Sequence, residues 1–515
     1  MKKRPGAIIA AAVLSAVVLT ACGGGSPAPG TTGPTPGSTP KESAPLSIAI
    51  GADALSLDAN NYKATTDLVV DRLVYDGLVS FDLNMKIVPA LAETWSQPDA
   101  TTWQFNLRKG VKFTDGTDFN SAAVKFSLER AAKSPTGTGF VGAIDHVETP
   151  DANTAVLKLK APFAPLLRHL ATPVAGIVSP TAVQKDPDHF AEHPVGTGQF
   201  KLDSWTRNQE IKLVRNDGWW GGKVPLPAVS FKIYPDESAR YLAFKGGQVD
   251  VIDSPPPQKV AEIKADPGLS VVTGPATRDL RLGFNVQDPV LKDPALRKAI
   301  SEAIDTKSLV NFVAEGLARP VTEGFIPPEV QHTNPPIVPT FDAAKAQADL
   351  AKYKGTKIQL WTPQGRYLRD KEIAEAIQQM LNKDGLVVEV KVMDWGAYLK
   401  ALGNHEGQMF IIGWGFTTGD PHIAMSQNFQ SKSAFNYANL QDPQFDQWLT
   451  QAQVEQDQAK RDGLYVQMEK YLNDNAIMVP IYHKLNFYGI SKRVHDFGVH
   501  PLELVDLSKT SVDPK

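Results

Sequence analysis

Apolar and polar residues alternate most regularly in the second half of the chain, where short strands and amphipathic helices follow one another. At residues 357–361, Ile358 and Leu360 alternate with polar residues, which predicts a short strand. In the next segment apolar residues recur at spacings of three and four and would cover one face of a helix, namely Ile373, Ala376, Ile377, Met380 and Leu381. Val388, Val390 and Val392 then alternate with polar residues, which predicts the following strand.

The same alternation continues towards the C-terminus. Residues 409–414 form an apolar run that predicts a buried strand. Asp420-Pro421 then predicts a helix start, because aspartate caps helices and proline is tolerated in their first turn. Amphipathic helices at residues 445–452 and 464–472 lead into a strand at residues 478–482. Strands that alternate with helices indicate a mostly parallel sheet covered by helices.

The first half contains a strand-turn-helix unit. Trp103, Phe105 and Leu107 alternate as on a half-buried strand, residues 114–117 supply a turn, and a helix begins after Asn120 or Ser121. About 470 residues follow position 45, which is too many for one hydrophobic core. The sequence therefore predicts an α/β fold with more than one lobe.

The N-terminus carries an export signal. Three basic residues precede an apolar run at residues 7–18, and Leu19-Thr20-Ala21 leads directly to Cys22. This order resembles the lipobox of bacterial lipoproteins, which implies that residues 1–22 are a signal and that Cys22 is acylated; a plain secretory signal is the alternative. Residues 23–45 are almost entirely Gly, Pro, Ser, Thr and Ala, a composition typical of a flexible linker.

Composition excludes several classes of protein. Cys22 is the single cysteine, so an intrachain disulfide is impossible. The formal net charge is −3 and no basic run follows the signal, so nucleic acid is not expected as a partner. No later apolar stretch approaches the roughly 20 residues that span a bilayer. If the protein serves transport, other chains must form the channel.

Two loops are candidates for ligand binding. In open α/β sheets ligands bind beyond the carboxyl ends of strands, where helix N-termini and free backbone amides collect. Residues 362–370 and 415–420 occupy such positions. Their candidate side chains are Arg366, Tyr367, Trp414, Phe416 and Thr417. A guanidinium suits a carboxylate and aromatic rings supply flat apolar walls, although a solvated arginine and a core tryptophan are the simpler interpretations.

One catalytic pattern is present. His189, Glu192 and His193 fit H-x-x-E-H, in which two histidines bind zinc and the glutamate acts as a base. The segment is polar and lies between Pro187 and Pro194, which would interrupt a helix. A zinc hydrolase is therefore kept only as an alternative of another class.

Several motifs along the chain resemble one known family. The stretches at residues 89–95, 105–116, 194–200, 246–250, 283–285 and 439–446 are similar to the extracellular solute-binding proteins of ABC importers, a family that includes dipeptide, oligopeptide, glutathione and nickel-binding members. The similarity covers essentially everything after the linker. We add Asn285, from the fifth of these motifs, to the candidate ligand-binding residues.

The resemblance implies a two-lobed, hinged binding protein with an extra domain inserted in the first lobe. The predicted boundaries are residues 46–73, 180–278 and 482–515 for the first lobe, 74–179 for the inserted domain, and 279–481 for the second lobe. Its implied partners are a small solute and the permease and ATPase subunits. We expect a lipid-anchored monomer outside the cytoplasmic membrane or in the periplasm, without a cofactor or enzymatic activity.

The ligand is the open question. Arg366 resembles an arginine that holds a ligand carboxylate in the dipeptide and glutathione-type branch. In dipeptide and oligopeptide binders an aspartate three residues after the tryptophan holds the amino terminus, whereas here Thr417 follows Trp414. A hydroxyl cannot neutralise a buried ammonium. A peptide-like anion is the first hypothesis, with an oligosaccharide or a metal chelate as alternatives, and a sensory role is not distinguished from transport.

Overall fold

The computed structural model describes residues 43–330, 337–338 and 340–515, which belong to one compact unit. The predicted signal with Cys22 and the predicted linker up to residue 42 lie outside the described residues. Within the described ranges, no helix is both long enough and apolar enough to cross a membrane.

Strands and helices alternate mainly between residues 228 and 415, and elsewhere several strands follow one another directly. The strands are β1 (Leu46–Ile50), β2 (Val79–Phe81), β3 (Ile87–Pro89), β4 (Ala92–Asp99), β5 (Thr102–Leu107), β6 (Ile144–Asp151), β7 (Thr154–Leu159), β8 (Phe200–Thr206), β9 (Glu210–Arg215), β10 (Ala228–Ile233), β11 (Val251–Asp253), β12 (Leu269–Phe284), β13 (Ala318–Pro320), β14 (Lys357–Pro363), β15 (Val387–Met393), β16 (Met409–Gly415), β17 (Met478–Ser491), β18 (Val494–His495), β19 (Gly498–His500), β20 (Leu504–Asp506) and β21 (Ser511–Val512).

The helices are mostly short, and the longest of them lie near the C-terminus. The α-helices are α1 (Thr65–Val74), α2 (Ser121–Ala131), α3 (Thr138–Val141), α4 (Leu166–Leu170), α5 (Pro180–Lys185), α6 (Glu237–Lys245), α7 (Val260–Ala265), α8 (Pro294–Ala303), α9 (Thr306–Val313), α10 (Ala343–Leu350), α11 (Asp370–Lys383), α12 (Trp395–Gly403), α13 (Pro421–Phe429), α14 (Pro443–Val454) and α15 (Gln458–Asp474).

One large mixed sheet runs through the molecule. Its strand order is β15-β14-β16-β12-β17-β11-β1-β10-β9-β8, with β13 added beside β17. A separate four-stranded sheet, β4-β5-β7-β6, lies within the segment that was predicted to be an inserted domain. The inserted domain's boundaries, like those of both lobes, stay predictions.

The two longest strands join the two ends of the large sheet. β12 and β17 pair antiparallel, and the first part of β12 lies opposite the last part of β17. The other ends of both strands enter the part of the sheet that holds β14, β15 and β16. The register between β12 and β17 shifts between Pro275 and Asp279, so the regular ladder is interrupted midway. This interruption separates the part of β12 that pairs only with β17 from the part that also pairs with β16.

Separate hydrophobic cores support the sheets. Phe105, Val124 and Leu157 lie in a core beneath the four-stranded sheet. One end of the large sheet has its own core, with members Leu46, Ile48, Val229, Phe231 and Val251. The other end packs on Leu280, Ile300, Leu360, Ile377 and Ile411. More than one core is the expected solution for a chain of this length.

Most predicted elements are confirmed at the predicted places. Asn120 caps α2 by accepting a hydrogen bond from the Ala123 N–H, and Asp420 caps α13 with Pro421 as its first residue. The face of α11 predicted from Ile373, Ile377 and their neighbours is buried.

One expectation about the sheet was wrong. The large sheet is mixed rather than mostly parallel, because β12 and β17 cross its middle in the antiparallel sense. The strand predicted from Val388, Val390 and Val392 is confirmed as β15, and Val392 is exposed because β15 forms the edge of the sheet.

Candidate ligand-binding site

A cavity of about 760 Å³ opens at the carboxyl ends of strands from both parts of the large sheet. On one side lie residues that follow β10 and β11, and on the other side lies the loop between β14 and α11. Arg278 and Asp279 of β12 and Tyr482 and Lys484 of β17 lie between them. Carboxyl ends of parallel strands are the expected place for a ligand in an α/β sheet.

Asp370 organises the loop that carries Arg366. Its carboxylate is buried and accepts hydrogen bonds from the backbone N–H groups of Gly365 (3.1 Å), Arg366 (2.9 Å) and Tyr367 (3.0 Å). Arg369 adopts a left-handed conformation with φ of 56°, so the chain turns sharply into α11. The predicted loop therefore has a defined shape that holds Arg366 at the cavity.

Arg366 is the best-placed of the predicted residues. Its side chain lines the cavity and is exposed, and its guanidinium lies 5.2 Å from the ring centroids of both Tyr367 and Trp395. It forms no ion pair with any described residue. A guanidinium that stacks on aromatic rings keeps its hydrogen-bond donors free for a planar anion such as a carboxylate.

Tyr367 also lines the cavity, and contacts of its hydroxyl and its ring fix its position. Its hydroxyl donates to the Gly413 carbonyl at 3.3 Å, and its ring meets that of Trp395 edge-on at 6.0 Å. A Cβ on residue 413 would approach the Tyr367 ring to 2.9 Å, so a glycine is required for this contact. Burial raises the pKa of Tyr367, which keeps the phenol neutral.

Two further cations of the cavity are already neutralised. Glu503 accepts from Arg278 Nε at 2.5 Å and from Lys484 Nζ at 2.6 Å. Burial acts to raise the pKa of Glu503, but the charges of Arg278 and Lys484 outweigh it and hold that pKa well below its ordinary value. These cations form a closed ion-pair network with Glu503.

The second predicted loop does not line the cavity. Trp414 is half-buried, its backbone N–H donates to Asp279 at 3.0 Å, and its ring lies 5.5 Å from that of Phe435. Phe416 is fully buried in a hydrophobic core, and Thr417 is exposed. The structure thus brings Arg366 and Tyr367 together and leaves these three residues outside the lining.

Asn285 lies further away. It is buried, and its side-chain amide donates to the His405 carbonyl at 2.9 Å. It follows the end of β12, six residues beyond Asp279, which corresponds to roughly 20 Å along an extended strand. Its contacts are those of a residue that ties loops together.

The segment with the zinc-peptidase pattern has another shape. His189 and His193 flank a single 3-10 turn at Phe190–Glu192, so they do not lie one turn apart on an α-helix. His189 Nδ1 lies 2.9 Å from an Asp186 oxygen, and the described residues contain no group of three or more potential ligands that could hold a metal ion. The zinc hydrolase hypothesis receives no support from this geometry.

Three contributors to the site were not predicted. Trp395 is the first residue of α12, and Glu503 and Arg240 come from segments with no ligand signal in the sequence. Asp394 before Trp395 signals a helix start, which could have placed that ring beyond the end of β15. No local pattern points to Glu503 or Arg240.

A family model described as bacterial extracellular solute-binding proteins, family 5 Middle, matches residues 86–436. This chain belongs to that family. The resemblance predicted from the motifs is thereby confirmed.

Relatives of this family 5 protein cover nearly its whole length. It is 28% identical over 471 residues to the glutathione-binding protein GsiB of Escherichia coli, an overlap of 88% of this chain and 92% of GsiB. The structure of HbpA2 from Haemophilus parasuis matches 91% of this chain and 100% of HbpA2, with 25% identity and a TM-score of 0.80.

A complex with a peptide is also similar. The periplasmic binding protein DppA from Helicobacter pylori, solved with the peptide STSA, matches 92% of this chain and 99% of DppA, with 26% identity and a TM-score of 0.76. The predicted fold class, a two-lobed periplasmic-binding-protein fold, is confirmed by these structures.

Proposed function

We propose that this chain is the solute-binding component of an ABC importer and that it captures a peptide-like anion. Membership of family 5 and relatives that are binding proteins for glutathione and peptides support the transport role. The observation that carries the choice of ligand is Arg366, which faces the cavity without an ion pair. Its permease and ATPase partners are other chains.

The charges of the cavity favour an anion. Asp370 is occupied by backbone N–H groups, and Asp279 accepts from Arg281 at 2.9 Å. Arg366 has no such partner among the described residues. The cavity volume of about 760 Å³ falls within the range of small-molecule sites, which suits a short peptide or a modified peptide.

Capture requires no covalent step. A solute that contacts loops from both sides of the cavity favours the arrangement in which those sides are close together. β12 and β17 connect the two sides, and the interrupted register near Pro275 supplies a place for adjustment. A permease can then distinguish the loaded from the empty protein, so we propose a binding protein rather than an enzyme.

The proposed location follows from the N-terminus. Cys22 would carry the lipid anchor, and residues 23–45 would tether the folded body at the outer face of the membrane or in the periplasm. The folded body would work as a monomer. Mass spectrometry of Cys22 from the native host, with and without Cys22→Ser, tests the anchor.

Calorimetric titration of the purified protein tests the ligand class. The probes are glutathione, the dipeptide Met-Leu, maltotriose and a nickel-histidine complex. Arg366→Ala should weaken binding of the carboxylate probes roughly 10- to 100-fold, because a charged hydrogen-bond partner is lost. Arg207→Ala is the matched control, since Arg207 is an exposed arginine stacked 3.4 Å from the Trp205 ring and does not line the cavity.

Other results would redirect the proposal. Binding of maltotriose that is insensitive to Arg366→Ala would favour an oligosaccharide, and binding of the nickel complex alone would favour a metal chelate. Equal losses with Arg366→Ala and Arg207→Ala would contradict the role given to Arg366. Stoichiometric zinc in the purified protein would reopen the hydrolase alternative.

A further inference from the structure

Arg240 lies on the opposite side of the cavity from Arg366. It belongs to α6 and lines the cavity beside the residues that follow β10 and β11. Its Nη1 donates to the Tyr234 carbonyl at 2.9 Å, and the Tyr234 N–H in turn donates to Ile50 at 2.9 Å. The guanidinium therefore lies at the carboxyl ends of the parallel strands β1 and β10.

Arg240 is buried but poorly satisfied. Only 9% of the residue is exposed, and its Nε is buried without a hydrogen-bond partner. Among the described residues it forms no ion pair. An arginine keeps its charge in a protein, and a buried charge without a counter-ion is costly. Among the described residues, this buried guanidinium thus has no anionic partner.

Arg297 shows what a buried structural arginine looks like in this chain. It is 5% exposed, and its three nitrogens donate to the carbonyls of Ala476 (3.0 Å), Leu291 (2.7 Å) and Asn475 (2.8 Å). Arg240 makes one such bond. Arg297 therefore connects neighbouring loops, whereas Arg240 keeps most of its hydrogen-bond donors available.

The guanidinium of Arg240 occupies space that is free because residue 51 is a glycine. A Cβ on Gly51, which directly follows β1, would lie 2.9 Å from Arg240 Nη1. The backbone of Gly51 and the carbonyl of Tyr234 therefore define the position of the charge. A side chain at position 51 would displace the flexible end of Arg240 and leave the backbone where it is.

The acidic groups near Arg240 do not replace a ligand. Glu237 lies one turn earlier on α6, lines the cavity and is exposed. Asp253 is close enough to feel the charge of Arg240 but forms no ion pair with it, and burial raises the pKa of Asp253. Glu503, whose pKa is lowered by the charges of Arg278 and Lys484, is already paired with these two cations.

We propose that Arg240 binds a second anionic group of the solute whose first carboxylate is held by Arg366. The two arginines come from opposite sides of the cavity, and neither has an ion pair among the described residues. A solute with two carboxylates would join the two sides and so couple binding to closure. This inference rests on the proposed function and narrows its ligand to a dicarboxylate.

The first test uses the empty protein. Arg240→Met removes an unsatisfied buried charge and should leave the melting temperature unchanged or raise it. Arg297→Met, the matched control, breaks three satisfied hydrogen bonds and should lower the melting temperature by about 2 °C or more. A loss of stability with Arg240→Met as large as that with Arg297→Met would assign Arg240 a structural role and overturn the proposal.

The second test compares glutathione, which has two carboxylates, with its glycyl monoethyl ester, which has one. Arg240→Met and Arg366→Ala should each weaken glutathione binding by roughly 10-fold or more. The ester should be insensitive to one of the two substitutions, because its partner carboxylate is gone. Gly51→Ala should reproduce the effect of Arg240→Met.

The possible failures are distinct. If Arg366→Ala weakens glutathione binding while Arg240→Met and Gly51→Ala leave it unchanged, the inference about Arg240 fails and the proposed function stands. If the unmodified protein binds neither glutathione nor its ester but binds Met-Leu, the dicarboxylate class is wrong. If it binds none of these three probes, the proposed peptide-like ligand fails as well.

Discussion

The two sides of the cavity present their unpaired arginines in different ways. Arg366 stands on a loop, is exposed, and lies against the rings of Tyr367 and Trp395. Arg240 is buried on a helix, where Gly51 and one carbonyl define its position. An exposed guanidinium remains hydrated in the empty protein, so it costs little, whereas a buried one is costly until an anion arrives. Arg366 is therefore suited to the first contact with a solute, whereas Arg240 is suited to stabilising the closed arrangement.

A third arrangement of cations is found between the two sides of the cavity. Arg278 and Lys484 lie between the two sides, and both are neutralised by Glu503. The same cavity therefore contains cations that the protein has paired for itself and cations that it has not. The paired cations contribute to the stability of the protein. The unpaired cations, Arg240 and Arg366, are available to bind a ligand.

Glu503→Gln should produce the largest effect. It removes the counter-ion of Arg278 and Lys484 and leaves both cations unpaired. The ion pairs are partly buried, so removing Glu503 should cost up to about 3 kcal/mol of the free energy of unfolding. Denaturant unfolding at pH 7 checks this, with Glu375→Gln as the control, since Glu375 forms only an exposed pair with Lys371 at 3.7 Å. Equal stability of the two variants would contradict the network.

The same carboxylate predicts a pH dependence. The pKa of Glu503 is depressed in the folded protein, so its contribution to stability is present above the ordinary glutamate pKa of about 4.3 and is lost as the pH falls below it. The stability difference between the unmodified protein and Glu503→Gln should therefore shrink from pH 5 towards pH 3. A difference that stays constant over this range would argue against a depressed pKa.

Asp370→Ala should disturb the position of the exposed Arg366 more than that of the buried Arg240. Three backbone N–H groups lose their acceptor, which should lower the free energy of unfolding by about 2 kcal/mol and weaken glutathione binding roughly 10-fold. Unfolding and titration measure both effects. Asp384→Ala, just beyond the other end of α11, is the control. Unchanged affinity would show that the loop holds Arg366 without Asp370.

Arg366→Lys keeps the charge and removes the planar fork. We expect glutathione binding to weaken by about 5- to 10-fold, less than with Arg366→Ala, because lysine cannot form the bidentate pair or the same stacking. Titration at low ionic strength measures the change, and Arg207→Lys should have no effect. Affinity equal to that of the unmodified protein would mean that Arg366 contributes charge alone.

Trp395→Ala should have the smallest effect. An exposed cation-π contact contributes about 0.5–1 kcal/mol, so affinity should fall two- to fivefold. Trp205→Ala removes the corresponding ring beneath Arg207 and should leave binding unchanged. A loss with Trp395→Ala as large as that with Arg366→Ala would instead indicate that the ring contacts the solute directly.

Local patterns predicted much of the fold. The spacing of Ile373 and Ile377 indicated the buried face of α11, and Asp420-Pro421 indicated the start of α13, because helix faces and caps depend on residues close in sequence. The same patterns could not show that β12 and β17 run antiparallel through the middle of the sheet. Strand order depends on contacts between segments far apart in the chain.

The residues of the candidate site could also be predicted only in part. Arg366 and Tyr367 were predictable because both follow a strand whose end was clear from the sequence. Phe416 and Asn285 also lie near strand ends, yet one is in a hydrophobic core and the other lies far along β12 from the cavity. Nearness to a strand end therefore does not decide which side chains reach the cavity.

By itself the sequence predicted an export signal and determined the α/β class, the family motifs and the loop that carries Arg366, because each depends on residues within one short segment. Only the tertiary structure placed Arg240 on Gly51, Trp395 beside Arg366, and Glu503 between Arg278 and Lys484. These contacts join distant segments. Whether a charged side chain has an ion-pair partner is therefore decided only when distant segments come together in the fold.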